Sequence, residues 1–537
     1  MPLIDDMRFY IDGTWVDRPD APQIAVTNPA TEEVIGHIAA GSAGDVDLAV
    51  AAARRAFDSY SQWPVAERLA LLERVRGLLE ERTEAFAQAI TAEMGAPIGF
   101  ARAGQVFFGV EHVRVAIEVL REFEFEEEVD RIHVRREAIG LVAAITPWNW
   151  PLYQITAKVA PALAAGCTVV LKPSELSPFS ALLFAQVMHD AGAPAGVFNL
   201  VNGTGDEVGN ALSGHPDVDM VSFTGSTRAG VLVAQNAART VKRVVQELGG
   251  KSPNVFLPDA DFAAAVPKGV LGMMRNCGQS CASPTRMVVP AARLAEVEAL
   301  ATEAADAIVV GDPLDEGSFL GPLANAAQFA KVQDLIQVGI DEGAKLLCGG
   351  PGRPNGLNRG YFARPTVFSQ VTPEMRIAQQ EIFGPVLVIQ PYEDEEDAVR
   401  IANATVYGLS SHVQSADQEA ARRVARQIRA GQVHINYPAW SGYAPFGGLG
   451  RKPSSFAREI SLAPPDDPPR SFSRPTLNSG LRPPRLQHRD PGCLSSKSHD
   501  PRGLAKGKGR TVRHVQPRCA LRHQRSPRPF IASGRCR

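Results

Sequence analysis

Cysteine is scarce in this chain of 537 residues: there are seven, Cys167, Cys277, Cys281 and Cys348 in the body and Cys493, Cys519 and Cys536 near the end. An odd, scattered set does not build a disulfide framework and fits a reducing compartment, so a cytoplasmic location is expected. An excess of one charge is also lacking. The formal net charge is −2, which gives no global pull toward nucleic acid or a membrane surface. No apolar run reaches the ~20 residues of a membrane-spanning helix. The opening MPLIDDMRFYIDGTW has no basic segment followed by an apolar one, so it does not read as a secretory signal. No short-period repeat is visible. What remains is 45% hydrophobic and 21% charged, an ordinary globular composition. The length exceeds what one hydrophobic core supports, so two or three domains are expected.

The composition breaks after Gly448. Up to there, periodic apolar segments alternate with turn signals. Beyond it come RKPSSFARE, APPDDPPRSFSRP and KSHDPRGLAKGKGRTVRHVQPR, rich in Arg, Pro, Ser and His. Such text cannot offset its ordering entropy, and residues 449–537 are expected to be a disordered, basic tail on an acidic body. Within the body, 42–58 and 64–91 have helical apolar spacing. LVAAITPWN, CTVVLKPSE and VDMVSFTGS are short apolar runs that end at Pro or Gly, with helical text between them. A second series follows: SPNVFLP, RMVVP, PTVFSQV, GPVLVIQPY and QVHINY, interleaved with LAEVEALATEAADAI and EEDAVRIAN. This alternation predicts an α/β fold with two parallel-sheet domains. Their boundary is expected at the Gly249–Pro253 turn.

In open α/β sheets ligands bind at the carboxyl ends of the strands. VSFTGSTRAGVLVAQNA runs from strand through a turn into a helix opened by Gly225, Ser226 and Thr227. A helix N-terminus suits a pyrophosphate, although the spacing is not GxGxxG and a ligand-free Gly-Ser turn is the commoner case. Lys172 and Glu175 lie just past an apolar strand. They could hold ribose hydroxyls or form a plain surface ion pair. A carboxylate facing the ribose would repel a 2′-phosphate and favour NAD over NADP.

The stretch NCGQSCASPTR, 276–286, sets two cysteines four apart. Without a second pair or a nearby His they make a poor zinc site, and no metal is expected. Burial as inert thiols is the usual fate of cysteine. Against it, GQSC is small, polar and turn-like, so a thiol there could reach solvent, and nearby helix N-termini could lower its pKa. A thiolate needs an acid/base partner and an oxyanion donor. Glu247, between an apolar run and two glycines, is a candidate for the first. Asn149, an amide between two tryptophans in TPWNWP, is a candidate for the second.

Taken in order, TPWNWP, KPSE, FTGST, QELGGKSP, GQSC, QEIFGPV and APFGG resemble the aldehyde dehydrogenase superfamily, NAD(P)-dependent and non-phosphorylating, from about Phe9 to Gly448. The resemblance implies a Rossmann-like NAD-binding domain over 1–122 and 142–248, a catalytic domain over 249–448, and an oligomerisation hairpin at 123–141 serving a homodimer or homotetramer. It implies Cys281 as nucleophile, with Cys277 structural, Glu247 as general base, and Asn149 with the Cys281 N–H as oxyanion hole. It places Thr146, Trp148, Lys172, Glu175, Gly205, Gly209, Gly225 and Ser226 along the cofactor's path. Leu248, Glu381 and Phe383 fall near its nicotinamide end, and Trp150, Tyr153, Trp440 and Phe446 form a substrate funnel suited to medium-chain or aromatic aldehydes. The implied reaction oxidises an aldehyde to an acid through a Cys thioester, with water as acyl acceptor. A CoA-acylating enzyme, a thioester hydrolase without nucleotide and an inactive relative that only binds are the other readings. The resemblance stops after PFGG, where the family carries Lys, Ser-Gly, Gly-Arg-Glu and a final strand. Here the text is LGRKPSSFAREISLAPPDD; its Arg458-Glu459 pair is off in spacing and reads as coincidence. A shifted reading frame in a GC-rich gene would give such text, and the fold would then lack its last strand.

Overall fold

The computed structural model describes residues 4–444, 446–448, 455–456 and 485–488. Leu141–Ile145, Thr168–Lys172 and Met220–Thr224 are buried along their whole length, as parallel strands with both faces covered must be. The parallel core of the first sheet runs in the order Arg243–Glu247, Met220–Thr224, Leu141–Ile145, Thr168–Lys172, Phe198–Leu200. Antiparallel strands close its edges, Arg8–Ile11 with Thr14–Asp17 on one side and Ser455–Phe456 on the other. Successive side chains of a strand point to opposite faces. Met220 thus belongs to the apolar cluster that holds Phe86, Leu163 and Phe184, and Val221 to the separate one that holds Val46 and Val50. The strand order reverses beside Leu141–Ile145, and a crevice opens at such a reversal over the carboxyl ends.

The chain leaves this sheet at Glu247 and enters the second at Pro253, across the turn expected from the sequence. The second sheet has the order Lys345–Cys348, Thr366–Ser369, Val386–Tyr392, Arg286–Pro290, Pro253–Phe256, Ser410–Gln414, Gln432–Ile435. Only Lys345–Cys348 pairs antiparallel. Both sheets belong to one compact unit that ends at His488.

The first predicted helix is Ala43–Tyr60, closed by a capping box between Ser42 and Asp45. The second, expected over 64–91, is two helices, Val65–Glu81 and Thr83–Met94, divided at Arg82 (ψ 17°). Here the Thr83 hydroxyl donates back to the Glu80 carbonyl (2.8 Å), a side-chain bond that competes with helix continuation. Glu126–Val129 and Ile132–Arg135 form the expected hairpin around a left-handed Asp130 (φ 56°). The expectation of disorder over 449–537 lies outside the described residues, apart from two short strands that the sequence reading did not foresee. Ser455–Phe456 pairs with Gln246 and Glu247, and Arg485–His488 adds to Ile132–Arg135 as a third hairpin strand. Strand addition at an open edge uses main-chain bonds and asks little of side-chain pattern. Among the described residues no helix is long and apolar enough to cross a membrane.

Helix Pro178–Asp190 follows the Lys172–Glu175 loop and has no side-chain cap of its own. Glu93, buried on helix Thr83–Met94, supplies one. Its carboxylate accepts from the N–H groups of Phe179 (2.6 Å) and Ser180 (3.1 Å) and from the Ser180 hydroxyl. Burial outweighs these bonds and raises the carboxyl to about 7. The folded chain therefore keeps a proton that the unfolded chain releases nearer the ordinary glutamate value, and stability from this group falls as pH rises through that window. Urea unfolding from about pH 5 to about pH 8 should show wild type losing on the order of 3 kcal/mol relative to Glu93→Gln; a pH-independent difference would contradict the assignment.

Candidate active site

The candidate residues of the first sheet gather on its carboxyl edge. Thr146, Trp148, Asn149 and Trp150 follow Leu141–Ile145; Lys172 and Glu175 close and follow Thr168–Lys172; Gly225 and Ser226 follow Met220–Thr224. Glu247 ends its strand, Leu248 comes next, and Gly205 and Gly209 bound a π-helical turn beyond Phe198–Leu200. The Thr146 N–H donates to the Lys172 carbonyl (3.1 Å), tying two of these loops together. The buried Lys172 Nζ lies 3.1 Å from Glu175 Oε2. Ser226 caps helix Thr227–Ala238, its hydroxyl accepting from the Ala229 N–H.

Cys281, Glu381 and Phe383 come from loops that precede strands of the second sheet, Tyr153 lies on helix Pro151–Ala165, Trp440 and Phe446 follow the strand Gln432–Ile435, and Gly249–Gly250 is the seam. A Cβ at Gly249 would strike the Glu381 carboxylate, and one at Gly250 would overlap the carbonyl oxygen of Cys281. Two glycines after Glu247 therefore let both loops close onto it. The Gly250 N–H donates to Glu381 Oε1 (3.0 Å). Phe383 is left-handed (φ 61°). Gln328, which the sequence reading missed, holds it there by donating to the carbonyls of Ile382 (3.0 Å) and Phe383 (2.7 Å). The Phe383 ring meets Trp148 edge-on at 5.4 Å.

Helix Phe262–Met274 runs into the turn Arg275–Gly278, where Asn276 and Cys277 (φ 56° each) and Gly278 (φ 67°) are all left-handed. For the two non-glycine residues this costs ~1–2 kcal/mol each. The turn sends Cys277 inward. It is buried, its Sγ donates to the Gly321 carbonyl (3.1 Å), and burial pushes its thiol up to about 12. Cys281 emerges part-exposed. Asn149 is buried and its Nδ2 donates to the Gln279 carbonyl (2.8 Å) on the same loop, leaving a second amide N–H to offer. Trp150 Nε1 donates to the Ser280 hydroxyl (2.8 Å).

Beside this loop stands an aromatic cluster. Trp150 packs with Phe100 (5.5 Å), Tyr153 (5.6 Å) and Phe108 (6.2 Å), and Trp440 rests on Phe108 (4.8 Å). His112 meets Tyr153 at 4.2 Å, and burial drives its pKa down to about 3, so it is neutral. Phe446 is part-buried, and among the described residues no ring contact joins it to the cluster. Phe108 and His112 were missed, although their i,i+4 spacing in FFGVEHV marks one helix face. Among the described residues no group of His, Cys, Asp and Glu could hold a metal ion.

The aldehyde dehydrogenase family profile matches residues 15–463. A 3-succinoylsemialdehyde-pyridine dehydrogenase of Pseudomonas sp. is 55% identical over 456 residues, covering 85% of this chain and 95% of the relative. The chain belongs to the aldehyde dehydrogenase family. Solved dehydrogenase structures superpose on it closely. Aldehyde dehydrogenase C from Pseudomonas syringae, a cysteine-to-alanine variant complexed with NAD+ and octanal, gives a TM-score of 0.86 at 58% identity, over 90% of this chain and 96% of that one. The Mycobacterium tuberculosis aldehyde dehydrogenase complexed with NAD+ gives 0.83 at 40% identity, over 86% and 95%. The family match runs past Gly448, where the sequence resemblance was ended, and takes in Arg458 and Glu459, which lie outside the described residues.

In this dehydrogenase the balance at the Cys281 thiol runs opposite to the expected lowering. Enclosure by protein raises it, the carboxylates of Glu247 and Glu381 raise it further, and only the N–H groups of Ala282 and Cys281 itself oppose them. Enclosure also raises the Glu381 carboxyl, against the Gly250 N–H, Lys331 and Lys251. Removing a carboxylate should therefore free thiolate. Glu247→Gln is expected to speed iodoacetamide labelling of Cys281 several-fold at neutral pH without cofactor. A slower reaction would show Glu247 activating the thiol instead.

Proposed function

We propose that this dehydrogenase oxidises an aldehyde to a carboxylic acid with NAD, through an acyl adduct on Cys281 that water releases. The observation that carries this reading is the seam: one pair of glycines brings the Cys281 loop against Glu247 and Glu381, while Asn149 is bonded to the same loop.

The residues fit a dinucleotide. Lys172 donates to ribose hydroxyls and Glu175 accepts from them, and Glu175 disfavours a 2′-phosphate, so NAD is preferred over NADP. Thr146, Trp148, Gly205, Gly209, Gly225 and Ser226 line the path to the helix N-terminus at Thr227, which suits a pyrophosphate. Leu248, Glu381 and Phe383 hold the nicotinamide end. Bound there, NAD supplies the hydride acceptor and a positive ring charge that opposes the two carboxylates. In domain terms, 1–122 and 142–248 bind the cofactor, 249–448 carry the nucleophile, and the hairpin 123–141 makes the contact of a homodimer or homotetramer. The setting is cytoplasmic.

The Cys281 thiolate attacks the carbonyl carbon, and the oxygen takes up the charge. Asn149 offers it the second amide N–H and Cys281 its own N–H; one such donor is worth ~3 kcal/mol in the transition state. Loss of hydride from that carbon leaves a thioester on Cys281. Water then attacks, Glu247 takes its proton, and the thiolate departs with the acid formed. A carboxylate at 247 supports hydrolysis over transfer to a CoA thiol. Trp150, Tyr153, Trp440 and Phe446, with Phe100 and Phe108, favour a medium-chain or aromatic aldehyde, in keeping with the octanal complex of the Pseudomonas syringae relative.

Glu247→Gln should give a burst of NADH on mixing with octanal and NAD, followed by a slow steady state; a full steady rate would remove Glu247 from deacylation. Cys281→Ala should abolish turnover and Cys277→Ala should retain it, and the reverse would exchange their roles. Initial rates with octanal should favour NAD over NADP in kcat/KM; equal values would contradict the role given to Glu175.

A further inference from the structure

Helix Phe107–Glu122 does not begin as an α-helix. Ala101–Val106 forms a π-helical turn between Ile98–Phe100 and that helix. Such turns are uncommon and recur at functional sites. This one delivers Gln105, fully buried, to the back of the Asn149 and Cys281 loops. Gln105 Nε2 donates to the Asn149 main-chain carbonyl and to Asn276 Oδ1, both at 3.0 Å. Both partners accept, so the amide cannot be turned round without setting oxygen against oxygen. Gln105 Oε1 is buried with no hydrogen-bond partner among the described residues, a costly arrangement that stability alone does not call for. Asn276 Nδ2 also donates to the Asn149 carbonyl (3.0 Å) and more weakly to that of Gln279 (3.3 Å). Gln279 Nε2 donates back to the Asn276 carbonyl (3.2 Å), and its Oε1 accepts from the Ala324 N–H (3.0 Å).

We propose that Gln105 is a positioning residue that sets the separation of Asn149 from the Cys281 nucleophile. This rests on the reading of Asn149 as an oxyanion donor. Asn149 comes from the first sheet, and Asn276 with Gln279 from the strained turn that presents Cys281. Gln105 joins the two through one amide nitrogen, and with Asn276 it gives the Asn149 carbonyl two donors. Without Gln105 the Asn276 side-chain oxygen loses a donor exactly where its left-handed backbone needs support, and the turn can relax. Misplacement by about an ångström at reacting atoms can cost up to ~100-fold in rate.

The test is a double-mutant cycle read in kcat/KM for octanal at saturating NAD, with NAD affinity and thermal midpoint measured beside it. Gln105→Met keeps the bulk and removes both the donor and the orphaned oxygen. It is expected to lower kcat/KM roughly 10-fold, with NAD affinity and midpoint little changed. Asn149→Ala alone should cost ~100- to 1,000-fold. On that background Gln105→Met should cost less than about 2-fold, because the group it positions is gone. Equal losses on both backgrounds, or full activity of Gln105→Met, would overturn this proposal and leave the Asn149 reading intact. An Asn149→Ala enzyme with undiminished activity would overturn both. Should Gln105→Met not fold, Gln105→Glu, which cannot donate when ionised, is read in the same cycle.

Discussion

The absence of a side chain at position 250 is the constraint on which the site depends. The space where a Cβ would stand is filled by the main-chain oxygen of Cys281, and one residue earlier the Glu381 carboxylate takes the corresponding space. Both contacts fall at the passage from the last parallel strand of the first sheet to the opening strand of the second. The carboxyl edge of one sheet, where loops are free to bind a ligand, is thus closed against the amino edge of the other, which brings the thiol. Any side chain at Gly250 would push the Cys281 loop off Glu247.

Around that seam the site is built against local preference. The turn that buries Cys277 and presents Cys281 holds consecutive residues in a left-handed conformation, Phe383 shares that conformation, and side-chain amides from Gln328, Asn276 and Gln105 hold these segments in place. The electrostatics follow the same pattern. Two carboxylates face a thiol that is already disfavoured as an anion by enclosure. Under the function proposed above, an arrangement that disfavours the thiolate in the free chain makes chemical sense where a cationic cofactor restores the balance.

The runs legible in the sequence were short apolar stretches bounded by turn residues; most proved buried on both faces, as at Leu141–Ile145, Thr168–Lys172, Met220–Thr224, Pro253–Phe256, Arg286–Pro290, Thr366–Ser369 and Val386–Tyr392, while Gln432–Ile435 is only part-buried. Arg243–Glu247, Ser410–Gln414 and Lys345–Cys348 were not picked out, because RVVQE, SSHVQ and KLLC mix polar and apolar residues without a strict alternation. The candidate site residues could be picked out where a residue type stands out at a turn, as at Cys281, Glu247 and Asn149, and the fold brings the loops that carry them together. Gln105 and Gln328 were invisible because an amide that bonds a distant main chain leaves no local pattern. The π-helical turn that carries Gln105 has no sequence signature of its own. The direction of the Cys281 shift was misjudged for a related reason: enclosure of the thiol, its largest cause, and the approach of Glu247 and Glu381 arise only on folding. Past Gly448 the text offers no periodicity, and the two strands described there are held by main-chain pairing at the open edges of Arg243–Glu247 and Ile132–Arg135.

The central claim is that the acyl group travels on the sulfur of Cys281. Trypsin releases that residue in the peptide Asn276–Arg286, which follows Arg275 and also contains Cys277. Acid-quenching the wild-type enzyme during turnover of octanal with NAD, then fragmenting this peptide in a mass spectrometer, locates the adduct directly. An octanoyl mass on Cys281 is the expected result. The same mass on Cys277, or an unmodified peptide under conditions where deacylation limits the rate, would contradict the account.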